Sequence, residues 1–94
     1  MIKVAKSKNS LKNGYIYIPI LQREIIYNLI GGILADPERV EIVFNDVNIG
    51  LKYVDHKYNR VAIGKPITKK LLNLPISSFE FMAVNKILHI KSIY

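Results

Sequence analysis

RVEIVFNDVNIGLKYVD, Arg39–Asp55, lies over SFEFMAVNKILHIKSIY, Ser78–Tyr94, without a gap. Glu41 falls on Glu80 and Lys52 on Lys91. Val40, Ile42, Ile49, Leu51 and Val54 fall on Phe79, Phe81, Leu88, Ile90 and Ile93. Apolar and polar residues alternate in both stretches, and Asn-Asp or Asn-Lys stands near each middle as turn material. A period of two interrupted by a central turn predicts a β-hairpin with one buried face, twice in the chain.

The match extends upstream of each hairpin. Tyr15-Ile16-Tyr17-Ile18-Pro19 lies over Arg60-Val61-Ala62-Ile63-Gly64, a strand ended in each case by a residue that punctuates structure. A short helix is expected next. Leu21, Ile25 and Ile26 correspond to Ile67, Leu71 and Leu72 after one residue is inserted near Lys65, a spacing that makes one apolar helical face. Arg23 then falls on Lys69, on the opposite side from that face. The first helix is expected over Leu21–Leu34, weakened by Gly31-Gly32, and the second over Ile67–Leu74, stopped by Pro75. Ala35-Asp36-Pro37-Glu38 reads as an acidic turn.

Strand, helix and hairpin in the same order twice predict a mainly β protein with an internal repeat. The expected architecture is a small closed β-barrel of about seven strands with two short helices, built from βαββ units about a pseudo-two-fold axis. Unit one spans about residues 1–55 and unit two about 50–94, sharing the strand near 49–55, within a single domain of residues 1–94. One such unit cannot cover its own apolar face, whereas two can, and closing the barrel removes open sheet edges.

Composition agrees with one small domain. The chain has 94 residues, half of them hydrophobic, rich in the β-branched and aromatic types that favour strands. It has no cysteine, which excludes disulfides and thiolate metal sites and accords with a cytoplasmic protein. The basic N-terminal stretch is not followed by a signal-peptide apolar region and cleavage site. The most apolar window, residues 15–34, carries Gln22, Arg23, Glu24 and Asn28 at its centre, so no membrane span and no membrane partner are expected.

The net charge of +7 is unevenly placed. Residues 1–14 carry Lys3, Lys6, Lys8 and Lys12 and no acid. Residues 56–72 carry Lys57, Arg60, Lys65, Lys69 and Lys70, again with no acid. Between them stand Asp36, Glu38, Glu41, Asp46 and Asp55 against Arg39 and Lys52. A field arranged in two such blocks attracts polyanions, of which nucleic acid is the commonest in a cell; the plainer reading is lysines that solubilise a small apolar domain.

The repeat unit resembles the swapped-hairpin barrel of the AbrB, SpoVT and MazE group. Asn13-Gly14-Tyr15-Ile16-Tyr17-Ile18-Pro19 resembles that group's turn and Ile-Pro strand end. Lys52-Tyr53-Val54-Asp55 through Asn59-Arg60-Val61-Ala62-Ile63 resembles its first strand, turn and second strand, and Thr68-Lys69-Lys70-Leu71 its basic helix. Gly64 stands where the second half should have Pro, Tyr15 where the first should have Arg, and Glu24 dilutes the first basic helix. The resemblance implies a transcriptional regulator that binds duplex DNA, with two tandem units making a pseudo-dimeric monomer, or a homodimer of such chains. It places the DNA surface on the first strand, turn and helix start of each unit, where both basic blocks fall.

The candidate DNA-binding residues are therefore Lys3, Lys6, Lys8, Lys12 and Arg23 from one half, with Lys52, Lys57, Arg60, Lys65, Lys69 and Lys70 from the other. Lysine suits phosphate, whereas Arg23 and Arg60 could also pair with guanine through a planar fork. Tyr15, Tyr17, Tyr53 and Tyr58 flank these blocks. They read as barrel-lining residues with hydroxyls at the rim, the alternative being stacking on bases. His56 and His89 are too few for a metal site, and no nucleophile triad, phosphate loop or paired-acid signature occurs. No enzymatic activity, cofactor or small-molecule substrate is expected. The competing reading is a protein-capture or antitoxin-like module working through the apolar first helix. Antitoxins of this group wrap their toxin with a tail beyond the barrel, and none is expected after the final strand.

Overall fold

In the computed structural model, which describes residues 2–31 and 39–94, both hairpins form where the alternation places them. The chain runs β1 (Ile2–Ala5), α1 (Lys8–Lys12), β2 (Tyr15–Tyr17), a 3₁₀ turn (Ile20–Gln22), α2 (Arg23–Gly31), β3 (Arg39–Phe44), β4 (Val47–Asp55), β5 (Arg60–Ala62), α3 (Lys65–Leu71), β6 (Ser78–Val84) and β7 (Ile87–Ile93). Asn45-Asp46 and Asn85-Lys86 turn the two hairpins, all four with positive φ between 48° and 67°. Positive φ at both central residues is the type I′ geometry whose twist matches the flanking strands.

Seven strands form one nearly closed, barrel-shaped sheet in the order β1-β6-β7-β3-β4-β5-β2. All neighbours are antiparallel except β3 and β7, which join the two hairpins in parallel. The core holds Val4, Val40, Ile42, Phe79, Phe81, Leu88 and Ile90 from one part of the sheet, with Ile16, Val54 and Val61 from the other. Each such side chain contributes about 1.5–3 kcal/mol by leaving water. The ring is not fully closed as expected: β1 and β2 remain as edges, four and three residues long. Short edge strands, with Lys3 on β1, give little template for pairing with another chain.

The matched strands β2 and β5 pair with each other, Tyr15 with Ala62, Ile16 with Val61, and Tyr17 with Arg60. Ile16 and Val61 are equivalent in the repeat alignment and also face each other, while their neighbours exchange. That is the pairing a local two-fold axis produces. Flanking strands also correspond: Val40 pairs with Lys52 of β4 and its counterpart Phe79 with Val4 of β1. A strict two-fold would further pair β4 with β6, but β4 pairs with β3 and β5.

The gapless hairpin match holds for the first strand of each hairpin and fails in the second. Leu88 and Ile90 are fully buried, yet their counterparts Ile49 and Leu51 are half-buried and 50% exposed. The pairing of β3 and β4 shifts by one residue between Ile42 and Val43, leaving Ile49 unpaired beside Gly50 at φ 84°. A one-residue bulge moves every following side chain to the other face. Leu51 and Tyr53 consequently point outward.

Three α-helices form, one more than the sequence reading places. The additional one is α1, within residues 8–14. The Ser7 side chain caps it by accepting from the Ser10 amide, Leu11 anchors it in the core, and Gly14 ends it at φ 90°. The helix expected over Leu21–Leu34 begins as a 3₁₀ turn and becomes α-helical only at Arg23; residues 32–34, and the turn expected at 35–38, lie outside the described residues. The tighter 3₁₀ winding changes the phase of the helix. Ile26 and Ile30 are its buried stripe, whereas Leu21 is 96% exposed and Ile25 57% exposed. In α3 the expected face holds, with Leu71 buried and Ile67 and Leu72 packed on the core. Among the described residues no helix is long and apolar enough to cross a membrane.

Candidate nucleic-acid interface

The β4-β5-β2 part of the sheet presents an outer face written in its alternation. Val54, Val61 and Ile16 point into the core. The residues between and beside them, Tyr53, Asp55, Arg60, Ala62, Tyr15 and Tyr17, therefore point outward. Register arranges them in rows. Tyr15 pairs with Ala62, and continuing the Val54–Val61 pairing by one residue sets Tyr53 on the other side of Ala62. The second row is Tyr17, Arg60 and Asp55. The tyrosines expected to line the barrel thus sit outside it, because Ile16 holds the interior position and the β4 bulge turns Tyr53 around.

Arg60 is the keystone of this face. Its guanidinium lies 3.8 Å from the centre of the Tyr15 ring and 4.8 Å from that of Tyr58, and its Nε donates to Asp55 Oδ2 at 3.1 Å. Asp55 Oδ1 accepts from the amides of Lys57 and Tyr58, both at 3.1 Å, which shapes the turn between β4 and β5. Partial burial pushes the Asp55 carboxyl pKa up, but the Tyr58 amide, Arg60 and the Lys57 amide outweigh it and hold the group below its ordinary value of 3.8. α2 braces the same turn: the Tyr27 hydroxyl donates to Asn59 Oδ1 at 2.9 Å, and its ring meets His56 edge-on at 4.7 Å. Burial raises the Tyr27 pKa, and Asp55 adds to this against Arg23.

A shallow groove crosses the face. Tyr15, Tyr53 and Ala62 form its floor, with Asp55, His56 and Lys57 at one end and Lys52, Gly64 and Lys65 at the other. Tyr53 and Tyr58 are more than half exposed. Arg39, opposite Tyr53 in β3, sets its guanidinium 5.6 Å from that ring, and Lys57 Nζ lies 5.2 Å from the Tyr58 ring.

The expected basic residues divide into groups. Lys8 and Lys12 are exposed on α1, and Lys65, Lys69 and Lys70 are exposed on α3. These two helices pack together, with the Gly64 amide donating to the Gly14 carbonyl at 2.9 Å, so both sequence blocks reach one side of the molecule. Lys57 lies apart from them, at the end of the groove opposite Lys65. Lys6 is used within the fold, where its Nζ donates to the Leu72 and Leu74 carbonyls at 3.2 and 2.9 Å and caps the end of α3. Lys52, opposite buried Val40, is half-buried. Lys3 lies elsewhere, on β1, where its carbonyl accepts from Gln22, the residue before Arg23; Arg23 itself leans over Tyr27 at 5.6 Å.

Charge counting reveals neither the stacked and ion-paired setting of Arg60 nor the place of Arg39 over the Tyr53 ring. The Tyr-Ile-Tyr alternation of residues 15–17 is the signal that reveals the outward tyrosines. Among the described residues no cluster of three metal-binding side chains occurs. The chain matches no protein-family model, no curated protein and no solved structure.

Proposed function

We propose that this chain is a DNA-binding protein, a transcriptional regulator of AbrB type, that holds the phosphate backbone on the side where α1 and α3 meet. The observation that carries this reading is the packing of α1 on α3, which gathers Lys8, Lys12, Lys65, Lys69 and Lys70 from two acid-free blocks far apart in sequence. Lysine ammonium groups suit phosphate contacts, which position a protein on DNA without reading sequence. Arg60 is engaged with Asp55, Tyr15 and Tyr58. Sequence selectivity is accordingly modest in this reading.

The test is a salt titration of binding to a labelled duplex. Micromolar affinity at low salt is expected, with a log–log slope of roughly −4 to −5 for four to six phosphates, at about −0.9 each. Absence of binding at low ionic strength sinks the proposal. One observation favours a second reading, capture of a protein partner: Ile20 and Leu21 in the 3₁₀ turn and Ile25 in the first turn of α2 are 70%, 96% and 57% exposed. That reading predicts a partner whose binding is insensitive to salt and abolished by Leu21→Asp.

A further inference from the structure

We propose that the outer face of β4-β5-β2 is a stacking platform for the unpaired bases of single-stranded DNA, with Tyr53 and Tyr58 meeting the bases and Lys57 and Lys65 holding the flanking phosphates. The proposal rests on the nucleic-acid reading above and adds to the duplex side a neighbouring face for unpaired strands. Four of the six tyrosines of the chain lie on or over this face. Their outward placement is dictated by the core positions of Ile16, Val54 and Val61, and Tyr53 and Tyr58 remain more than half exposed.

The geometry favours an unpaired strand over a duplex. Tyr15 and Tyr53 flank the small side chain of Ala62 on alternate strands, roughly 9–10 Å apart at the usual strand spacing. Ala62 leaves an open slot between two aromatic surfaces. Bases inside a duplex are already stacked on each other and offer such a slot only their edges, whereas unpaired bases offer their faces to aromatic side chains. The slot continues at each end to a lysine, Lys57 on one side and Lys65 on the other, so a backbone leaving the platform in either direction meets positive charge. Arg60, held between Tyr15 and Tyr58 and tied to Asp55, keeps the aromatic row ordered before any ligand arrives. Every base has a π-face, so the preference is for single strands rather than for a sequence.

The experiment uses the full chain and fluorescence anisotropy with labelled oligo(dT), a mixed-sequence duplex of equal length, and oligo(U). The expected result is tighter binding to oligo(dT) than to the duplex at one ionic strength. Tyr53→Ala should weaken oligo(dT) binding at least five-fold, Tyr53→Phe should restore it, and neither should change duplex affinity. Thermal melts of both variants accompany the titrations, and exposed Tyr53 should leave them unmoved. Equal losses on both ligands, no loss on oligo(dT), or tighter binding of oligo(U) overturns the proposal while salt-dependent duplex binding survives. Loss of all binding by the unaltered chain removes the nucleic-acid reading as well.

Discussion

The guanidinium of Arg60 lies 3.8 Å from the ring centre of Tyr15, closer than to any other aromatic ring in the described residues, and it is hydrogen-bonded to Asp55 on the neighbouring strand. Stacking and ion pairing at a 30% exposed side chain join β2, β5 and β4 through one residue. Arg60→Ala should therefore destabilise the fold by about 1–3 kcal/mol, the combined scale of a partly desolvated cation–π contact and a charged hydrogen bond. Arg60→Lys should recover only part of this, because ammonium lacks the planar stack. Urea melts decide, and an unchanged midpoint in Arg60→Ala would leave the residue free for an external ligand.

Asp55 gives the same node a pH dependence. Its folded-state pKa is depressed below 3.8, so its contribution to stability is present above that value. It is lost as pH falls through the folded-state pKa. Denaturation midpoints of the wild type and Asp55→Asn, measured from pH 6 to pH 2, should differ at the upper end and converge at the lower. A constant difference across the range would show that the carboxylate charge is not what stabilises the turn.

Thr68 presents the opposite case, a polar atom that contributes nothing by hydrogen bonding. It is fully buried on α3, and its Oγ1 has no partner among the described residues. Thr68→Val keeps the shape and removes an unsatisfied hydroxyl, so stability should rise by about 1 kcal/mol. A shift to lower stability in a thermal melt would contradict an unpartnered hydroxyl at that site.

The hairpins were legible because alternation is a two-residue signal and Asn-Asp and Asn-Lys tolerate the positive φ that their turns require. What escaped was phase. The bulge at Ile49 and Gly50 depends on pairing with β3, which no local pattern announces, and it decides whether Leu51 and Tyr53 face core or water. The same holds at Leu21, where a 3₁₀ turn after Pro19 breaks the α-helical spacing that would join Leu21 with Ile25 and Ile26. α1 escaped as well, because its five residues make too short a period to read. Charge blocks also do not tell which side chains stay unengaged, and Lys6 and Arg60 are both used within the fold.

A pair of charge-matched double variants separates a defined face from general attraction. Lys65→Gln with Lys69→Gln removes two exposed charges from α3 and keeps the aliphatic stems. Lys86→Gln with Lys91→Gln removes the same charge from the β6–β7 hairpin, where Lys91 makes an exposed 3.9 Å ion pair with Asp46. Such surface changes usually alter stability by less than about 0.5 kcal/mol, so both proteins should melt near the wild type. If the α1–α3 side holds phosphate, the α3 pair should weaken DNA binding several-fold and reduce the salt slope by about 1.8, at about 0.9 per contact, while the hairpin pair changes the slope little. Attraction to net charge alone predicts equal losses from the two variants, because each lowers the charge by the same amount. Equal losses would leave a basic protein without a binding face, whereas a lower melting temperature confined to the α3 variant would make Lys65 and Lys69 part of the packing of α3 instead.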